Sequence, residues 1–170
     1  APAPLGRGVK EAYQLLQDST NYWTPVRRTV EDLAAKRKAA GEKWGTLGFM
    51  VGEDWGTADV INNGVYKKGG LLSAFDFDGK ERISGPAQKL TSEGLENGWD
   101  DVIYVLREPR QRGYLTDSVA PTLFLTNHDS YRLADHFDPA DPHYYEKQMT
   151  RFAILAAYSG PIQLYYGDEY

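Results

Sequence analysis

Two short runs in this sequence end an apolar stretch in side chains able to do acid–base chemistry. In Thr46-Leu47-Gly48-Phe49-Met50-Val51-Gly52-Glu53-Asp54-Trp55-Gly56 the apolar part closes on a glycine, a carboxylate pair and an aromatic. In Leu123-Phe124-Leu125-Thr126-Asn127-His128-Asp129, introduced by Pro121, it closes on three polar side chains. Two carboxylates brought to one place can share the work of glycoside cleavage, one protonating the leaving oxygen while the other stabilises or attacks the cation-like carbon. A carboxyl that acts as the acid needs an apolar surrounding to keep its proton, and Phe49, Met50 and Trp55 could supply one for Glu53. A plainer reading of Glu53, as a solvated loop acid or a helix cap, stands beside this one.

The elements that must carry these residues follow from the hydrophobic pattern. Short runs apolar on both faces suit strands of a parallel sheet. Besides the two above, Leu71-Leu72-Ser73-Ala74-Phe75-Asp76-Phe77 and Ile162-Gln163-Leu164-Tyr165-Tyr166 have this character. Helical spacing marks Val9–Gln17, a helix from Pro25 to about Ala40 with the stripe Val26, Val30, Leu33 and Ala34, a helix within 94–105 weakened by Gly98, and Tyr144–Ala157. The charges of the second helix, Arg27, Arg28, Glu31, Asp32, Lys36, Arg37 and Lys38, form its solvated face. Asp78 to Thr91 reads as a loop followed by the start of a helix. Asn62-Asn63-Gly64 and Asp138-Pro139-Ala140-Asp141-Pro142 are turn signals, the latter leading into the Tyr144 helix. Tyr165-Tyr166 reads as strand core with one ring at the rim.

Strands alternating with helices predict βαβ units and a mostly parallel α/β sheet, with the polar groups at the carboxyl ends of the strands. The 76 positions from Glu53 to Asp129 amount to two to three βα units at about 30 residues each. Two strand ends so spaced can share one rim.

Composition narrows the function classes. The chain has 170 residues, 41% hydrophobic, with net charge −5 and interspersed signs, which suggests neither a nucleic-acid face nor a basic membrane patch. No apolar run approaches about 18 residues, and Ala1-Pro2-Ala3-Pro4 lacks a signal pattern. With no cysteine, disulfides and thiolate metal sites are excluded. His128, Asp129, Asp135, His136, Asp138, Asp141 and His143 match neither a calcium loop nor a zinc helix, so no cofactor is expected in this segment.

Taken together, Val51-Gly52-Glu53-Asp54-Trp55, Phe124-Leu125-Thr126-Asn127-His128-Asp129 and Gly160-Pro161-Ile162-Gln163-Leu164-Tyr165-Tyr166-Gly167-Asp168-Glu169 resemble the second half of the α-amylase family (glycoside hydrolase family 13) catalytic barrel. In that family these are the ends of strands five, seven and eight, and Phe75-Asp76-Phe77 is similar to strand six. The resemblance runs from about residue 21 to 170. It implies a partial (β/α)8 TIM barrel, roughly strands five to eight with their helices. It implies that Glu53 is the general acid and base, and that Asp129 binds sugar hydroxyls and stabilises the transition state. His128, Asn127 and Trp55 would contact the sugar, Trp55 by stacking on the apolar face of a pyranose, and Arg132 would help hold the local carboxylates.

The departure from the family pattern is as informative. The nucleophilic aspartate should precede Tyr22-Trp23, but Leu5-Gly6-Arg7-Gly8-Val9-Lys10-Glu11 offers none, and Asp18 has the setting of a helix end. The resemblance therefore implies residues 1–170 as one segment of a larger α-glucan hydrolase, without the first half of the barrel or the C-terminal β domain, and inactive alone. A calcium ion, where one is bound, would belong to the full-length enzyme, and a secreted or periplasmic location is slightly favoured over a cytoplasmic one. Strands cut from a barrel leave open edges, so self-association or pairing with the missing half is expected. The rival is a non-catalytic glycan-binding or scaffold relative that has lost the nucleophile.

Overall fold

The computed structural model describes residues 23–43, 50–71, 73–115 and 120–169. The expected helix Val9–Gln17 and most of the apolar run 46–52 lie outside them. The described residues form a mixed α/β structure: α1 (Trp23–Ala39), α2 (Ala58–Ile61) continued as a π-helical segment (Asn62–Lys68), α3 (Phe77–Ser84), α4 (Lys89–Ser92), α5 (Leu95–Leu106), β1 (Leu123–Phe124), α6 (Tyr144–Ala157) and β2 (Ile162–Gln163). Short 3-10 turns occupy Pro109–Arg112 and Leu133–His136.

Every strand pairing among these residues is parallel, as expected. Leu123 pairs with Ile162 and Phe124 with Gln163, while Gly52 bridges Ala74 and Phe75 bridges Thr122. Four chain segments thus lie side by side in sequence order. Their regular pairing is shorter than the apolar runs suggest. The run at 71–77 is cut because Asp76 caps α3, its Oδ1 accepting from the Gly79 amide at 2.9 Å, so Phe77 opens a helix and 78–84 is helical where a loop was expected. A cap that satisfies an orphan amide at once makes helix cheaper than further strand.

The core lies over β1. Ile83 of α3, Leu90 of α4, Val102 and Val105 of α5, and Ile154 and Leu155 of α6 close around Leu123 and Leu125. Gly98, which lowers helix propensity, is required here: a Cβ would sit 2.3 Å from the Leu90 Cα, so α4 and α5 cross too closely for any side chain. A second cluster joins Ile61, Val65, Tyr66, Leu71, Ala74 and Tyr114. Turn chemistry is overridden at Asn62-Asn63-Gly64. The Asn62 side chain donates to the Gly113 carbonyl at 2.9 Å and accepts from the Leu115 amide at 3.1 Å, so its polar groups are used across the fold instead of locally.

Helix α1 forms over the expected residues, with Arg27 paired to Glu31 at 2.6 Å on its charged face. None of its residues is buried, so the stripe containing Val30 and Leu33 is uncovered by the described residues. Tyr165 and Tyr166 follow β2 outside the strand, a correction to their placement in it, with Tyr166 the exposed ring of the two and Tyr165 half-buried.

Candidate functional site

The end of β1 builds a tight turn from its own polar side chains. The Asn127 Oδ1 accepts from the Asp129 amide at 3.1 Å, and the Ser130 amide donates to the Asn127 carbonyl at 3.3 Å. Asn127 is buried by this arrangement, and its carboxamide oxygen supports the turn. The turn pushes the next two side chains outward. His128 and Asp129 side chains are 64% and 55% exposed, with Nε2 3.2 Å from Oδ2.

Glu53 arrives from the segment on the far side of Ala74 and Phe75, which lie between it and β1. Gly52 permits this approach, since a Cβ there would lie 2.8 Å from Val65 Cγ1 and 3.0 Å from Leu71 Cδ1. Donor atoms of Glu53, His128 and Asp129 all lie within 4.8 Å of one another. Residues 76 positions apart in sequence thus meet at one place, as the spacing predicts. Among the described residues no apolar jacket closes over Glu53, which is exposed: Met50 packs against the second core cluster, and Phe49 lies outside the described residues. The same three groups could ligate a cation, but all are open to solvent and no fourth histidine or carboxylate joins them among the described residues.

Trp55, beside Glu53 in sequence, lies flat on Phe77 with ring centroids 4.7 Å apart and planes inclined by 17°. Phe77 in turn meets Phe124 of β1 edge to face at 5.1 Å. The indole is nevertheless 64% exposed, because only one face is covered. The geometry is a supported aromatic platform, the form that stacks against the C–H face of a sugar ring.

Behind the platform is a charged centre that sequence reasoning missed. Asp76 is 0% exposed. It accepts a forked pair of hydrogen bonds from Arg112, at 2.7 and 2.8 Å, and a longer one from the Tyr114 hydroxyl at 3.3 Å. Burial by itself would lower the Arg112 pKa, but the hydrogen bonds and charge of Asp76 outweigh it and hold the guanidinium more firmly protonated than usual. Burial first, and then the same carboxylate, push the Tyr114 hydroxyl well above its ordinary pKa. The only sequence signal was an acid directly after an apolar run; its partner, 36 positions away, had none.

Arg132 does not pair with the site carboxylates. Its Nη1 donates to the Tyr166 carbonyl, and the guanidinium covers the Tyr165 and Tyr166 rings at 4.9 and 4.2 Å from their centroids. Thr126, immediately before the Asn127 turn, donates through Oγ1 to the buried Asp168.

Among solved structures, the chain is similar to a Glu-to-Gln variant of AmyP in complex with maltotriose, with TM-score 0.61 and 28% identity over 87% of this chain and 32% of that one. It is likewise similar to AmyP in complex with maltose, with TM-score 0.60 and 26% identity over the same shares. The chain thus spans about a third of the length of these proteins. No family model and no curated protein sequence matches it.

Proposed function

We propose that this chain is the part of a retaining α-glycosidase of α-amylase type that supplies the general acid and base, Glu53, and the hydroxyl-binding, charge-stabilising acid, Asp129, for α-linked glucans or oligosaccharides. The observation that carries the reading is the meeting of Glu53, His128 and Asp129 within 4.8 Å, delivered by two parallel segments that flank the Ala74–Phe75 segment. The similarity to AmyP, whose structures hold maltotriose and maltose, supports the substrate class.

Mechanistically, Asp129 and His128 hold two hydroxyls of one ring while Trp55 stacks on its neighbour, so the scissile oxygen is presented to Glu53. A protonated Glu53 gives its proton to the leaving oxygen as positive charge builds on the ring, and the carboxylate of Asp129 opposes that charge. Retention needs a nucleophilic carboxylate about 5 Å from the acid. Neither the stretch 5–11 nor Asp18 has the setting of one, so the chain by itself is expected to bind and not to cleave. It is also expected to self-associate through sheet edges such as β2, where Ile162 and Leu164 are exposed.

The test is calorimetric titration of the 170-residue chain with maltotriose, beside an assay on an aryl α-maltoside. Binding that is lost in Asp129→Ala and in Trp55→Ala is the expected result. An absence of binding in the unaltered chain removes the proposal. Turnover that disappears in Glu53→Gln would instead show that the chain already contains its nucleophile.

A further inference from the structure

The turn after β2 is fastened to the segment that carries His128 and Asp129 at both ends of that segment. At one end, Thr126 Oγ1 donates to Asp168 Oδ1. At the other, Arg132 Nη1 donates to the Tyr166 carbonyl and its guanidinium lies over both tyrosine rings. The turn itself is rigid: Asp168 Oδ2 accepts from the Tyr165 amide at 3.1 Å, and the Asp168 amide donates back to the Tyr165 carbonyl at 3.1 Å. Gly167 makes both contacts geometrically allowed. Its φ of 83° lies in the left-handed region that favours glycine.

Asp168 is 2% exposed and has no lysine or arginine partner among the described residues. A carboxylate is costly to bury unless its oxygens are hydrogen-bonded, and here one is used by Thr126 and the other by Tyr165. Arg132 is fixed through its main chain as well, its amide donating to Asp135 Oδ2 at 3.1 Å. Five residues, 127–131, are therefore strung between two anchors on one turn, and they include His128 and Asp129.

From this we infer that Asp168 and Arg132 are positioning residues: they clamp the β2 turn onto the two ends of the Asn127–Tyr131 segment and so hold the Asp129 carboxylate where it meets Glu53. This rests on the assignment of Asp129 to sugar binding. It gives the buried acid after β2 a role without contact to substrate, and it takes Arg132 out of the group of residues that touch sugar.

Two readouts on the full chain separate the clamp from the function it serves. The first is hydrogen exchange at the Asp129 amide, which donates to Asn127 Oδ1; the second is calorimetric affinity for maltotriose. Asp168→Ala is expected to speed exchange at Asp129 and to weaken maltotriose binding, each on the order of tenfold, the scale of losing one hydrogen bond to a charged group. Amides of Val105 and Ile154 in the core should keep their protection. Asp168→Asn, whose amide can donate to Thr126 and whose oxygen can accept from Tyr165, should restore both readouts. If Asp168→Ala fails to fold, Thr126→Val removes only the hydroxyl and tests the same contact, and Arg132→Met tests the other end. Unchanged exchange at Asp129, or faster exchange with unchanged affinity, overturns the inference. A chain that never binds maltotriose removes the proposed function, and the exchange data alone then decide whether the clamp exists.

Discussion

Asp76 and Asp129 stand in nearly the same sequence setting, each closing an apolar run that feeds neighbouring parallel segments, yet the structure uses them in opposite ways. Asp76 is sealed off, capping α3 and gripping Arg112. Asp129 is open to solvent beside His128 and near Glu53. The difference arises in the next few residues. After Asp76 the chain turns directly into a helix whose first amides face the carboxylate, and a buried guanidinium completes its hydrogen bonding. After Thr126 the polar residues Asn127 and Ser130 satisfy one another, and among the described residues the Asp129 carboxylate pairs only with the neighbouring His128. An acid at a strand end becomes structural or available according to whether its own fold supplies the donors.

Several measurements would break or sharpen that contrast. The largest effect should come from Asp76→Ala or Arg112→Ala. Removing one partner of a buried pair strands the other, so unfolding free energy in urea should fall by about 3–5 kcal/mol. A loss comparable to that of a surface substitution would show that the pair is not the hub described. Trp55→Ala comes next: maltotriose affinity should drop at least about tenfold, while stability changes by roughly 1 kcal/mol for the lost aromatic contact with Phe77. Asp129→Asn should shift stability by no more than about 0.5 kcal/mol yet weaken sugar binding, the reverse of the Asp76 pattern. An unfolding penalty at Asp129 equal to that at Asp76 would erase the distinction.

The smallest effect is a pH dependence from His136, in the 3-10 turn that follows Arg132. Burial first, and then the charge of Lys80, lower its pKa, and Arg151 acts in the same direction, against Asp135 and Glu81. The unfolded chain therefore binds the proton more readily than the folded one. The associated stability is present above the ordinary histidine pKa of about 6.5 and is lost as pH falls below it towards the folded value. Thermal unfolding followed between pH 7.5 and 5 should show a modest decline that His136→Gln removes, with the Asp76–Arg112 pair unaffected. A decline that survives the substitution would assign it elsewhere.

Much of the architecture was legible from pattern alone. Helix α6 falls on Tyr144–Ala157 as its apolar spacing requires, α5 lies within one residue of the expected stretch, and the parallel sense of the strand pairing follows from runs apolar on both faces. What misled was local chemistry overruled by distant partners. Asn62-Asn63-Gly64 carries a turn signature, but the Gly113–Leu115 segment engages the Asn62 side chain and the backbone stays helical. Arg132 sits close to acids in sequence, but the Tyr166 carbonyl and two tyrosine rings lie nearer in space.

The candidate site divides in the same way. That Glu53, His128 and Asp129 come together was legible from the sequence, because a polar group at the end of an apolar run, repeated at βα spacing, constrains where it sits, while their roles were implied by the family resemblance. Which carboxylate would be spent internally could not be read there. Asp76, Asp129 and Asp168 all follow apolar runs, and what separates them is the arrival of Arg112, of Thr126 with the Tyr165 amide, or, among the described residues, of no donor to the carboxylate beyond the neighbouring His128. Hydrogen-bond partners dozens of residues away leave no periodic trace in the chain, because a single side chain carries each contact and nothing about its neighbours must change to make it.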